Sequence, residues 1–177
     1  IVEQGLTENL YSWLDVRKFR REHTIGESRF DFIGEEINGT QFICEVKNVP
    51  LADYVDAPAK ERKHMTFETV PFHEKISYFP DGYRKSKNQP VSERALKHVK
   101  HLARIHSKHP EIRCILLFVI QRNDSIIFQP SVIDPFYQEA VKYAHEIGVE
   151  IRAIQCDWNP NTKKCSLIND SVEINIP

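Results

Sequence analysis

The sequence predicts an α/β fold with a mixed central β-sheet flanked by helices, and three observations carry that prediction. Strand-like runs at 28–33, 41–49, 112–121 and 149–157 alternate with stretches of helical periodicity. The run at 112–121 is almost continuously apolar, as expected of a strand covered on both faces. A length of 177 residues, with 41% hydrophobic and 28% charged side chains, suits one ordinary globular domain that needs no metal or disulfide staple.

The elements follow in order. Residues 2–14 place Val2, Leu6, Leu10, Tyr11, Trp13 and Leu14 at spacings that suit a short amphipathic helix. Four cations come next, at Arg17, Lys18, Arg20 and Arg21. Strands at 28–33 and 41–49 are separated by a segment containing Asn38-Gly39, a strong hairpin signal. Residues 50–90 hold prolines at 50, 58, 71, 80 and 90, which predicts an irregular stretch with a surface insertion at about 51–77. Ser92 is placed to cap a helix reaching about residue 107, with Leu96, Val99, Leu102, Ala103 and Ile105 on its apolar face. After the strand at 112–121, Asn123-Asp124 brings 125–129 close enough to form a hairpin with it. Asp134 as cap and Pro135 as first helical residue open a second helix, which Gly148 ends. Residues 149–157 return as a strand, and 165–176 read as a weaker edge segment.

Composition excludes several classes. The 24 basic and 25 acidic residues leave a net charge of -1, so no global field draws the chain to nucleic acid or an anionic membrane, and such a partner needs a local patch. The longest apolar run, 114–120, is far short of the ~20 residues of a bilayer span, so no membrane partner is expected. The start at Ile1 shows neither a basic stretch nor a cleavage motif, which predicts no secretory leader. Cys44, Cys114, Cys156 and Cys165 form no C-x-x-C pair, which fits free thiols in a reducing, cytoplasmic compartment.

Three residues carry the candidate chemistry: Asp31, Glu45 and Lys47. In a strand, residues two apart share a face, so Glu45 and Lys47 point together, opposite Phe42, Cys44 and Val46. If Phe30 and Phe32 join those apolar side chains, Asp31 falls on the face of Glu45 and Lys47. A two-residue turn at Asn38-Gly39 would break this arrangement. A three-residue loop with Gly39 in the left-handed conformation would set Asp31 opposite Glu45. Facing carboxylates suit a hard divalent cation, Mg²⁺ or Mn²⁺, with water and substrate phosphate completing its shell. Lys47 is placed to orient or deprotonate an attacking water and to stabilise charge growing on phosphorus. Taken alone, the spacing equally describes a salt-bridge ladder across a hairpin.

The second feature is cationic. Residues 84–108 hold eight Lys/Arg against one acid, Glu93, with His98, His101 and His106 interleaved and His109 just after. Lys97, Lys100, Arg104 and Lys108 recur every three or four residues and make one basic stripe along a helix. Such a stripe tracks phosphates and makes binding salt-dependent, or is simply a solvated face.

In this order, Glu27-Ser28-Arg29-Phe30-Asp31-Phe32, Glu45-Val46-Lys47-Asn48-Val49, Tyr78-Phe79-Pro80-Asp81 and Ser92-Glu93-Arg94-Ala95-Leu96-Lys97-His98 resemble motifs of the sugar fermentation stimulation protein A (SfsA) family, over about residues 1–160. The resemblance implies a PD-(D/E)XK, restriction-endonuclease-like nuclease fold over 1–177, without the N-terminal OB-like domain of that family. It implies a catalytic site of Asp31, Glu45 and Lys47, with metal held by Asp31, Glu45 and Glu3, Gln4 being the alternative to Glu3. It also implies that Arg94, Lys97 and His98 face the same cleft; taken with the basic segment, the nucleic-acid candidates are Arg29, Arg84, Lys85, Arg94, Lys97, His98, Lys100, His101 and Arg104. The expected activity is Mg²⁺- or Mn²⁺-dependent phosphodiester hydrolysis of DNA, or of RNA, with little sequence preference. The alternative is a DNA-binding regulator of sugar-metabolism genes that keeps the fold without catalysis. Monomer and homodimer are both compatible with this reading.

Overall fold

The computed structural model describes residues 1–82 and 87–176. Helix α1 (Val2–Thr7) precedes three antiparallel strands, β1 (Val16–Ile25), β2 (Ser28–Glu36) and β3 (Gln41–Val49). There follow β4 (Ala52–Asp53), the single turn α2 (Ala59–Arg62), β5 (Lys75–Phe79), α3 (Glu93–Lys108) and β6 (Arg113–Ile120). The chain ends with β7 (Ser125–Pro130), α4 (Pro135–Glu146), β8 (Glu150–Asn159), β9 (Lys164–Asn169) and β10 (Glu173–Ile174). A six-stranded sheet runs β1-β2-β3-β6-β8-β9, parallel where β3, β6 and β8 meet and antiparallel at both ends. A four-stranded sheet runs β10-β7-β5-β4.

Both faces of the larger sheet are covered, which is why β6 is buried from Cys114 to Ile120. Leu116 and Phe118 join the core beneath α3 and α4, while Ile115 and Leu117 join a second core with Val2, Leu6, Tyr11 and Leu14. The helix caps are those expected: Ser92 accepts from the Ala95 amide at 3.2 Å, and Asp134 from the Tyr137 amide at 3.2 Å. Gly148, at φ +106°, takes the left-handed position after α4.

Three expectations are corrected, and the basic run at 17–21 gains an element. The first helix stops at Thr7 rather than running to residue 14. Asn9, at φ +50°, bonds both backbone groups of Val16 through its side chain and turns the chain into β1, while Tyr11 and Leu14 still bury from the two ends of a turn closed by the Leu14 amide on the Tyr11 carbonyl. The basic run at 17–21 belongs to β1, a ten-residue edge strand whose exposed pattern hides its strand character. Residues 125–129 make no hairpin with β6, because β7 leaves for the other sheet and pairs in parallel with β5. The segment 51–77 is not a mere surface loop, since β4 and β5 are strands of that second sheet. Lys75 and Asp124, both buried, form an ion pair at its start, and buried Asp56 accepts from Gln129 Nε2, Ser131 Oγ and the Val132 amide within 2.9 Å.

Candidate active site

The hairpin register decides which side chains meet. Phe32 faces Cys44 and Gly34 faces Phe42, with Ile37, Asn38 and Gly39 between Glu36 and Thr40 and with Gly39 at φ +90°. This is the three-residue loop and the register that set Asp31 level with Glu45.

The β2–β3 ladder ends at the Phe32–Cys44 pair. Beyond it the strands part, and the Val46 amide, left without a backbone partner on β2, donates to Asp31 Oδ2 at 2.8 Å. The same parting corrects the face assigned to Phe30. Its ring leaves Phe32 and packs in the other core, against His98 and His101 at ring separations of 6.1 and 5.4 Å. On the other side of β2 the β1 ladder skips the level of Asp31, and Glu22, which falls at that gap, takes φ +51°. Glu22 bonds Arg29. No sequence pattern singles Glu22 out, because its signature is backbone strain.

Glu45 is only 2% exposed, since β3 is an interior strand pairing Glu45 with Leu116 and Lys47 with Phe118 on β6. A buried carboxylate needs a partner. Glu45 Oε1 receives both Lys47 Nζ and His98 Nδ1, the latter from the buried side of α3. Glu45 Oε2 is buried with no hydrogen-bond partner among the described residues. Burial first, and the charge of Glu45 second, raise the Asp31 carboxyl above its ordinary value, against the Val46 amide, Lys47 and His98. Tyr137, a residue the sequence reading missed, has a fully buried hydroxyl with no partner among the described residues, and its pKa is raised by burial and then by the charge of Glu45. Its position on a helical apolar stripe reads as core.

The structure therefore brings Asp31, Glu45, Lys47 and His98 together and leaves Glu3 elsewhere. Glu3 pairs with Arg21 at 2.9 Å, and α1 packs against the opposite face of the sheet. Among the described residues no three His, Cys, Asp or Glu side chains form a ready metal cluster. The nucleic-acid candidates divide. Arg94, Lys97, Lys100 and Arg104 are exposed on α3, and Lys97 and Arg104 meet Glu27 at the tip of the β1–β2 hairpin, at 3.5 and 3.0 Å. Arg29 is exposed and paired with Glu22. His98 and His101 are instead buried, because they fall on the apolar side of the helix. Arg84 and Lys85 lie outside the described residues.

Comparison with known proteins places this geometry. The family model described as "Sugar fermentation stimulation protein RE domain" matches residues 1–162. The chain belongs to the SfsA family. It is 32% identical over 163 residues to the sugar fermentation stimulation protein homolog of Desulforamulus reducens, covering 92% of this chain and 54% of that protein. The homolog of Clostridium tetani is likewise 32% identical, over 89% of this chain and 56% of its own length. The SfsA chain thus spans about half the length of these curated relatives. A solved structure, Pyrococcus furiosus SfsA in complex with Ca²⁺, superposes with a TM-score of 0.72 over 99% of this chain and 62% of the other, at 22% identity. That likeness establishes the nuclease-like fold of this SfsA chain. No helix among its described residues is long and apolar enough to cross a membrane.

Proposed function

We propose that this SfsA domain is a Mg²⁺- or Mn²⁺-dependent phosphodiesterase that binds DNA or RNA with little sequence preference and works from the Glu45 cluster. The single observation that carries the reading is the Oε2 of buried Glu45, unpartnered among the described residues and level with Asp31. A native interior satisfies such an acceptor or uses it. The fit to a hard cation is sound on donor chemistry. Asp31 and Glu45 offer carboxylate oxygens, and a cation of the Mg²⁺ kind takes one or two such ligands and completes its shell with water and phosphate. That a relative crystallised with Ca²⁺ supports the same class of ion. When bound, the cation supplies Lewis-acid polarisation of a phosphoryl oxygen.

The remaining work belongs to the protein's own groups. Lys47 Nζ, one strand step from Glu45 on the same face, is suited to hold the negative charge that grows on the phosphoryl oxygens. His98 Nδ1 fixes the Glu45 carboxylate from α3 and so keeps Oε2 aimed away from the helix partner. The exposed cations Arg94, Lys97 and Lys100 on that helix are suited to neutralise backbone phosphates at no particular sequence.

The test is cleavage of single- and double-stranded DNA and RNA with Mg²⁺ or Mn²⁺, comparing the parent with Glu45→Ala. Cleavage by the parent that Glu45→Ala abolishes supports the reading. Binding without any cleavage difference leaves the non-catalytic regulator, a reading favoured by the way Lys47 and His98 already compensate Glu45.

A further inference from the structure

A hollow of about 750 Å³ opens between α3 and α4, on the outer side of the helical layer. Its two walls differ. The α3 wall carries Lys100, Arg104 and Lys108, every fourth residue and so about 6 Å apart along the helix axis. The α4 wall carries Phe136 and Tyr143, which are 42% and 54% exposed. Seven residues separate them, two turns or about 10 Å. Each ring leaves about half its surface in water, so part of it is open to a ligand in the groove.

A row of cations facing a row of aromatic rings is the pair of features that holds single-stranded nucleic acid, with phosphates on one side and stacked bases on the other. A duplex hides its base faces and gains nothing from the α4 wall. An acidic helix would suit the cations, but it would bring carboxylates close to Glu139, which lies on the aromatic wall. A nucleotide strand turns its bases, not its charge, toward that wall. A second hollow, of about 500 Å³, shares Lys100 and Arg104 with the first and is lined also by Glu93, by Glu27, which pairs with Arg104, and by His101, whose buried Nδ1 has no partner among the described residues. The track therefore continues along α3 toward the turn that carries His98 and its bond to Glu45.

We propose that the groove between α3 and α4 is a single-strand binding site, with phosphates on Lys100, Arg104 and Lys108 and bases stacked on Phe136 and Tyr143. This deepens the nuclease reading, on which it rests for the nature of the partner. The test is fluorescence anisotropy on the full chain with a labelled oligothymidylate and a labelled duplex. The double variant Phe136→Ala/Tyr143→Ala loses about tenfold or more in single-strand affinity, as base stacking predicts, and keeps its duplex affinity and thermal midpoint. Lys108→Ala lowers the slope of log affinity against log salt by about 0.7 on the single strand. Equal single-strand binding by parent and double variant overturns the groove while leaving the Glu45 reading intact. So does an acidic amphipathic peptide that binds the parent and is lost in the double variant while oligothymidylate is not. If the parent binds neither oligonucleotide, groove and nucleic-acid reading fall together. If Glu45→Ala leaves cleavage unchanged but the double variant loses the strand, only the catalytic reading falls.

Discussion

Two carboxylates level with each other across the hairpin have opposite effects on stability, and this separates their roles. Glu45 accepts from the half-buried Lys47 ammonium and from the buried His98 ring, so Glu45→Ala leaves both without their acceptor and costs about 3 kcal/mol. Asp31 is the reverse case, because burial and Glu45 disfavour its charged form. Its folded-state pKa lies above the unfolded one, so stability is highest where Asp31 is protonated and falls as pH rises through the raised value. Asp31→Asn keeps an acceptor for the Val46 amide, removes the repulsion and stabilises the chain by about 1 kcal/mol at neutral pH. Urea titrations in chelator check both signs. A destabilised Asp31→Asn variant, or a Glu45→Ala variant as stable as the parent, contradicts this account of the cluster. Asp31, Glu45 and Lys47 were legible as a set because strand alternation and the Asn-Gly loop constrain their faces. His98 as the partner of Glu45 was not, since it comes from α3, 53 positions away, and nothing local marks the contact.

At the scale of elements, those with their own boundary chemistry were legible and those stabilised by pairing alone were not. The helices α3 and α4 carry Ser92 and Asp134 as caps and an apolar stripe each, and their ends fall where those residues stand. Strand β1 has no alternation to read, and β5 lies among prolines; each exists because a neighbouring strand accepts it. The two caps are unequal in consequence. Asp134 is fully buried and also accepts from the Val91 amide at 2.7 Å, tying α4 to the approach of α3. Asp134→Ala is therefore expected to cost about 2 to 3 kcal/mol, against about 1 for Ser92→Ala, in denaturant unfolding. The hairpin tip makes another prediction. Glu27 sits on Lys97 and Arg104 as a phosphate would, and its carboxyl pKa is lowered by those two cations. Glu27→Gln frees both, so nucleic-acid affinity should rise roughly two- to fivefold with no change in thermal midpoint, as fits an exposed pair. A fall in affinity would instead make Glu27 part of the binding surface.

At the scale of the whole molecule, the near-zero net charge conceals segregation. Residues 84–108 hold eight basic residues and one acidic, whereas the rest of the chain holds 16 basic and 24 acidic. The fold turns this sequence asymmetry into a spatial one, because the described part of that segment is largely α3, lying across one face of the main sheet with its cations outward. Acidic surface elsewhere repels phosphate, so contact should be confined to the α3 face. The measurable consequence is the salt dependence of binding. If Arg94, Lys97, Lys100, Arg104 and Lys108 each neutralise one phosphate, log affinity should fall against log salt with a slope of roughly -4.5 on duplex DNA and roughly -3.5 on single strands. Replacing Arg94 with alanine should lower the slope by about 0.9 on duplex and about 0.7 on single strands without shifting preference among sequences, because a phosphate contact carries no base information. Replacing Arg17, which lies on the edge strand and pairs with Glu35 at 2.8 Å, should leave the slope where it was. A slope near zero, or one that responds to Arg17 as strongly as to Arg94, would mean that binding spreads over the basic edge strand as well, and the confinement argued from charge segregation would be lost.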